Sequence, residues 1–197
     1  PPVPAVEVYS THVVLLCDVD IQVPALVSAL DRGNAVAGDS RCVGFSATGS
    51  DPAERFESIA LQCFEALRDL ARDPSTGRTL VQCVIPNDQN GQIHRGLSAL
   101  LRTVAMEQSR FVGQVVGIDA DLDADALAAR LHTLKDRPTA TLVQCGPDRM
   151  QSLDWQPVKP RNAVGSVYKD DGVYLITGGL GALGRLFAEN IVEQCSH

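Results

Sequence analysis

No stretch of this sequence stays apolar for more than five residues, the longest being Val13-Val14-Leu15-Leu16-Cys17, whereas a membrane-spanning helix needs about 20. A spanning helix is therefore excluded, and a soluble, cytoplasmic chain is expected. Runs of Lys or Arg are also missing. Seventeen basic side chains stand against 24 acidic ones, a net charge of −7, so a phosphate backbone would be repelled and nucleic acid is not an expected partner. The six cysteines, Cys17, Cys42, Cys63, Cys83, Cys145 and Cys195, lie 20 or more residues apart and form no Cys-x-x-Cys pair. Without the local spacing of zinc or dithiol redox sites, the expectation is free, largely buried thiols and no metal. His12, His94 and His132 are scattered in the same way and read as core or surface histidines. The first residues, Pro1-Pro2-Val3-Pro4, lack an initiator Met and the basic and apolar regions of a signal peptide, and read as a linker inside a longer polypeptide.

What is present is ordinary globular material, 45% hydrophobic and 21% charged, with a regular alternation of two periods. Short apolar runs at His12 to Cys17, Arg41 to Ala47, Thr79 to Ile85, Gly113 to Ile118 and Thr139 to Cys145 predict strands. Helical spacing separates them at Val23 to Leu30, from Pro52 through Leu70, at Ile93 to Ser109 and at Asp123 to Leu134. Strands that are continuous apolar runs and alternate with helices predict an α/β class, a Rossmann-like parallel sheet covered on both faces. Asp119-x-Asp121-x-Asp123 has the start of a calcium loop, but Ala124 and Arg130 occupy the positions that need Gly and Glu, so Asp123 is expected to cap a helix instead. From Gly146 to Asp171, Pro147, Pro157, Pro160, Trp155 and Gly165 mark a connector.

After it comes a second strand-to-helix start. Val173 to Thr177 reads as an apolar strand, followed at once by Gly178-Gly179-Leu180-Gly181-Ala182-Leu183-Gly184 and a helical stretch to His197. Gly179-x-Gly181-x-x-Gly184 in that setting is the dinucleotide fingerprint: the tight turn and the bare backbone admit a pyrophosphate, and the helix N-terminus favours its charge. The first strand, by contrast, runs into Asp18-Val19-Asp20-Ile21-Gln22-Val23-Pro24 with no glycine, so the earlier unit reads as non-binding. No Tyr is followed four residues on by Lys: Val13, Gly172 and Gly178 stand at that offset from Tyr9, Tyr168 and Tyr174. The acid of a short-chain reductase is thus not expected within these residues.

Two stretches carry a resemblance. GLSALLRTVAMEQSRFVGQVVGID, from Gly96 to Asp119, and VYLITGGLGALGRLF, from Val173 to Phe187, resemble the ketoreductase domain of modular (type I) polyketide synthases. Such domains join a structural subdomain that has lost its cofactor site to a catalytic one that binds NADPH. The resemblance implies a structural subdomain over residues 1–160, a linker over 161–172, and over 173–197 the start of the catalytic subdomain. It implies NADPH contacts at Thr177, Gly178, Gly179, Leu180, Gly181, Ala182, Leu183 and Gly184. It assigns no catalytic residue to this chain, since the Ser, Tyr and Lys of the family would follow His197. The complete parent would reduce a β-ketoacyl thioester on an acyl carrier protein, with the catalytic half and neighbouring synthase domains as partners. Two other readings stay open, a nucleotide-binding oxidoreductase fragment completed by a partner chain and a flavodoxin-like binding module.

Overall fold

Strand β1 (Thr11–Cys17) is buried along almost its whole length, which a run of Val, Leu and Cys tolerates only at the centre of a sheet. The computed structural model, which describes residues 9–33, 39–73, 77–146, 149–154, 156–158 and 167–195, places it there. Helix α1 (Val23–Gly33), β2 (Asp39–Phe45), α2 (Pro52–Arg72), β3 (Thr79–Pro86), a 3-10 turn (Gly91–Gly96), α3 (Leu97–Glu107), β4 (Phe111–Ile118), α4 (Ala124–Lys135), β5 (Leu142–Cys145) and β6 (Met150–Ser152) follow in order. The sheet runs β2-β1-β3-β4-β5-β6. Every pairing is parallel except β5 with β6. This is the doubly wound α/β, Rossmann-like architecture that the alternation predicts.

The period of two divides the strands between two layers. Val14, Leu16, Val84, Val116 and Ile118 face α1 and α4, while Val13, Leu15, Cys17, Val81, Cys83, Ile85 and Val115 face α2 and α3. Each fully buried Leu, Ile or Val contributes about 1.5–3 kcal/mol. Within the α4 layer a polar chain crosses the sheet. His12 Nε2 donates to Gln82 Oε1 at 2.7 Å, and Gln82 Nε2 donates to Gln114 Oε1 at 2.8 Å. Gln114 Nε2 then reaches the carbonyls of Leu134 and Arg137 at the end of α4. A buried polar group costs free energy unless it is satisfied, so this chain penalises any slip of β1, β3 or β4.

Helix ends follow local chemistry. Asp51 accepts from the N–H groups of Ala53 and Glu54 at 2.7 and 3.0 Å, and Pro52 occupies the first turn of α2. The other end is closed by Arg110, whose Nη2 donates to the carbonyls of Leu70, Ala71 and Asp73. Asp123 caps α4 through Ala126 N–H at 2.8 Å, as the sequence predicts. Gly113 lets α3 approach β4, since a Cβ there would lie 2.6 Å from Leu101 Cβ.

Three expectations are corrected. The helix expected from Ile93 begins instead as a 3-10 turn and becomes α-helical at Leu97. The connector contains β6, which pairs antiparallel with β5. Val173 to Thr177 lies in no ladder, because apolar β-branched composition needs a partner edge to become a strand, and no described strand pairs with it. Pro1 to Pro4, Pro147, Trp155, Pro160 and Gly165 lie outside the described residues. The chain divides into two compact units, Pro1–Asp154 and Trp155–His197; the second contains helix α5 (Ala182–Gln194).

Candidate nucleotide-binding turn and the crevice of the sheet

The two turns that lead into α1 and α5 have opposite chemistry. In the second unit Thr177 to Leu180 form a turn that leads through Gly181 into α5. Gly178 adopts φ +70°, the left-handed region that favours glycine. Gly181 N–H donates to Gly178 O at 2.8 Å, tightening the loop. Gly184 is buried against it: a Cβ would stand 2.5 Å from Gly178 O and 2.6 Å from Gly179 Cα. The third glycine of the fingerprint is therefore required by helix-to-turn packing, and a side chain would push the turn open.

Around that contact the backbone is bare. Gly181 opens α5 with no side-chain cap, and its first turn carries no acidic residue. N–H groups at such a helix start keep their partial positive charge for an incoming anion. Thr177, Gly178, Leu180, Gly181, Ala182 and Leu183 are exposed, Gly179 is half-buried, and Gly184 is buried. The eight residues singled out from the sequence thus form the turn and the first turn of α5, and these features fit a pyrophosphate-sized anion.

The first unit has its own crevice at the carboxyl ends of β1, β3 and β4, where the strand order reverses and doubly wound sheets place ligands. This cavity of about 370 Å³ is lined by Asp18, Asp20, Asp88 and Asp119 together with Ile21 and Asn87. Asp18 takes the position of a turn glycine at φ +59°. Its carboxylate pairs with Arg55 and accepts from Ala47 N–H at 3.3 Å. Asn87 donates to Asp119 Oδ1 at 2.8 Å and accepts from Gln144 Nε2 at 2.9 Å, filling the other side. Four carboxylates thus line this crevice, one of them paired with Arg55, and no glycine turn opens it.

Buried titratable groups lie below it. His12 is held well below its ordinary range, at about 4, chiefly by burial and then by the charge of Lys135. His132 is lowered by partial burial, although Leu30 O accepts from its ring. The six thiols are unpaired: Cys17, Cys63, Cys83 and Cys145 are buried, and Cys42 and Cys195 are half-buried. Three of them, Cys17, Cys63 and Cys83, converge. That convergence has no local signal, because their elements lie far apart in sequence.

No family model matches the chain. It is 31% identical over 187 residues to the polyketide synthase PksL of Bacillus subtilis (strain 168), taking in 94% of this chain. A second polyketide synthase of that organism, PksN, is 29% identical over 192 residues, or 96% of this chain. A crystal structure of a ketoreductase domain from the bacillaene assembly line matches with a TM-score of 0.70 and 25% identity, over 95% of this chain and 43% of that one. Over nearly its whole length the chain is thus similar to segments of polyketide synthases and to a ketoreductase domain. The chain spans 4% and 3% of the lengths of PksL and PksN. Among the described residues no helix is long and apolar enough to cross a membrane.

Proposed function

We propose that this chain supplies the structural subdomain of a polyketide synthase ketoreductase, over residues 1–160, and, after a linker over 161–172, the pyrophosphate-binding turn that opens the catalytic subdomain. The parent enzyme reduces a β-ketoacyl thioester carried on an acyl carrier protein. The observation that carries the reading is the contrast between the two turns: glycines packed under an uncapped helix start at Thr177 to Gly184, and carboxylates at Asp18, Asp20, Asp88 and Asp119.

The residues of the chain then divide the work. Gly178, Gly179 and Gly181 keep side chains away from the pyrophosphate, Gly184 seats α5 under it, and the N–H groups of Ala182, Leu183 and Gly184 offset its charge. NADPH, when bound, supplies the hydride. Protonation of the developing alkoxide is assigned to residues outside these 197, since no Tyr-x-x-x-Lys is present to place an acid. The first unit contributes a rigid sheet.

The test is reconstitution. Purified alone, the chain is expected to give no turnover of a β-ketoacyl thioester above a boiled control, and to bind NADPH at about millimolar or weaker, roughly 4 kcal/mol. Mixed with a separately expressed catalytic half, it is expected to restore NADPH-dependent reduction. Turnover by the chain alone, or a catalytic half that is fully active without it, would overturn the assignment.

A further inference from the structure

Cys17 ends β1, Cys63 lies midway along α2, and Cys83 lies inside β3. Although 20 or more residues separate them in sequence, their three Sγ atoms all lie within 4.8 Å of one another. Cys17 Sγ and Cys63 Sγ are 3.6 Å apart. All three residues are fully buried. Sulfurs bound tetrahedrally at about 2.3 Å from one zinc ion stand about 3.8 Å apart, so this trio needs shifts of no more than roughly 1 Å to become a ligand set.

A second observation points to the same place. His94, in the 3-10 turn packed on α2 and β3, is wholly buried, and neither ring nitrogen has a hydrogen-bond partner among the described residues. A buried polar group with no partner is costly, so such a group calls for one. Cys63 and His94 lie within electrostatic reach of each other, with Asp18, Arg55 and Asp88 as the other charged groups that act on the imidazole. Filling an apolar layer with small side chains would account for each cysteine separately. It accounts neither for their convergence nor for an imidazole with two unmet nitrogens in the adjoining turn. A disulfide would join only two of the three sulfurs and leave His94 as it is.

We propose that Cys17, Cys63 and Cys83 bind one thiophilic divalent cation of the Zn²⁺ class, and that a shift of the 3-10 turn brings His94, which lies outside the sulfur cluster, in as fourth ligand, a clip that ties β1, β3, α2 and the turn before α3 together. Binding releases three thiol protons to solvent and forms three metal–sulfur bonds and one metal–nitrogen bond, with no change in oxidation state. The bound set carries one net negative charge; Asp18, which follows Cys17 in the chain, is ion-paired with Arg55. Because the sulfurs are closed off from solvent, the ion enters while the chain folds, before α2 closes over β1 and β3.

The experiment unfolds the full chain in reductant and refolds it with Zn²⁺, with Co²⁺ or with chelator alone. Expected are about one zinc per chain after gel filtration, a Tm raised by about 5 °C or more over the chelated chain, and thiolate-to-cobalt absorption with tetrahedral bands. X-ray absorption at the zinc edge should give three sulfurs and one nitrogen, a measurement that needs no variant. Cys63→Ser should lose the zinc and Cys42→Ser should keep it. A refolded chain with less than about one zinc per ten molecules and no thiolate-to-cobalt absorption overturns the proposal. So does zinc that persists in Cys63→Ser, or an edge spectrum dominated by oxygen.

Discussion

At the scale of single residues, two side chains turn position into a measurable property. The proton-bound form of His12 is disfavoured in the fold, with its pKa pushed down to about 4 from 6.5. Between those values the unfolded chain binds a proton that the folded chain refuses. Stability that is complete above about pH 6.5 is therefore lost as pH falls toward 4, by about 3 kcal/mol. Urea unfolding from pH 4 to 7 should show this slope, and His12→Gln, which keeps a donor toward Gln82 but does not titrate, should remove most of it. Gly184 is the second case. A Cβ at this position would stand only 2.5 Å from Gly178 O, so Gly184→Val should displace the turn and weaken NADPH binding to the reconstituted pair by about tenfold or more, roughly 1.4 kcal/mol. Calorimetric titration reads that loss, and circular dichroism of the first unit should not change. The fingerprint spacing makes Gly184 legible in the sequence; nothing in the sequence marks His12, whose burial depends on a strand and a helix more than 60 residues away.

Among the elements, α2 shows how much of a helix is local. Its start is written in Ser50-Asp51-Pro52-Ala53-Glu54: Asp51 accepts two N–H groups, and Glu54 reaches back to Ser50 N–H at 2.8 Å. Its end is not, because the last carbonyls are met by Arg110, about 40 residues on, at the head of β4. Arg110→Met should cost about 2 kcal/mol, since the lost partners are charge-assisted and partly buried; chemical denaturation with an unchanged m-value checks it. The stretch at Val173 to Thr177 errs the other way. Its composition is that of a central strand, yet Val173 and Leu175 are 100% and 93% exposed. A strand is a property of a pair, so composition states the capacity and the neighbour decides the outcome.

For the molecule as a whole, the second unit leaves an apolar surface uncovered. Leu180, Leu183, Leu186 and Phe187 are exposed, as are Val173 and Leu175, and each such side chain forfeits about 1.5–3 kcal/mol by staying in water. Amides of residues 173–194 are expected to exchange quickly while those of β3 and β4 stay protected, and addition of the catalytic half should slow the former alone. Hydrogen exchange with and without that half checks both; equal protection of the two units in a monomer would contradict the expectation. The order of β1 to β5 and α1 to α4, the Asp123 cap of α4, Pro52 at the start of α2 and the glycine turn were legible from the sequence, because each rests on period, spacing or a residue's own backbone preference. Only the tertiary structure decided that four carboxylates line the first crevice, that β6 pairs antiparallel, that a polar chain links His12 to α4, and that Cys17, Cys63 and Cys83 converge. Each of these joins residues from separate elements, and the distance between such residues is set by the packing of the sheet, which no local pattern records.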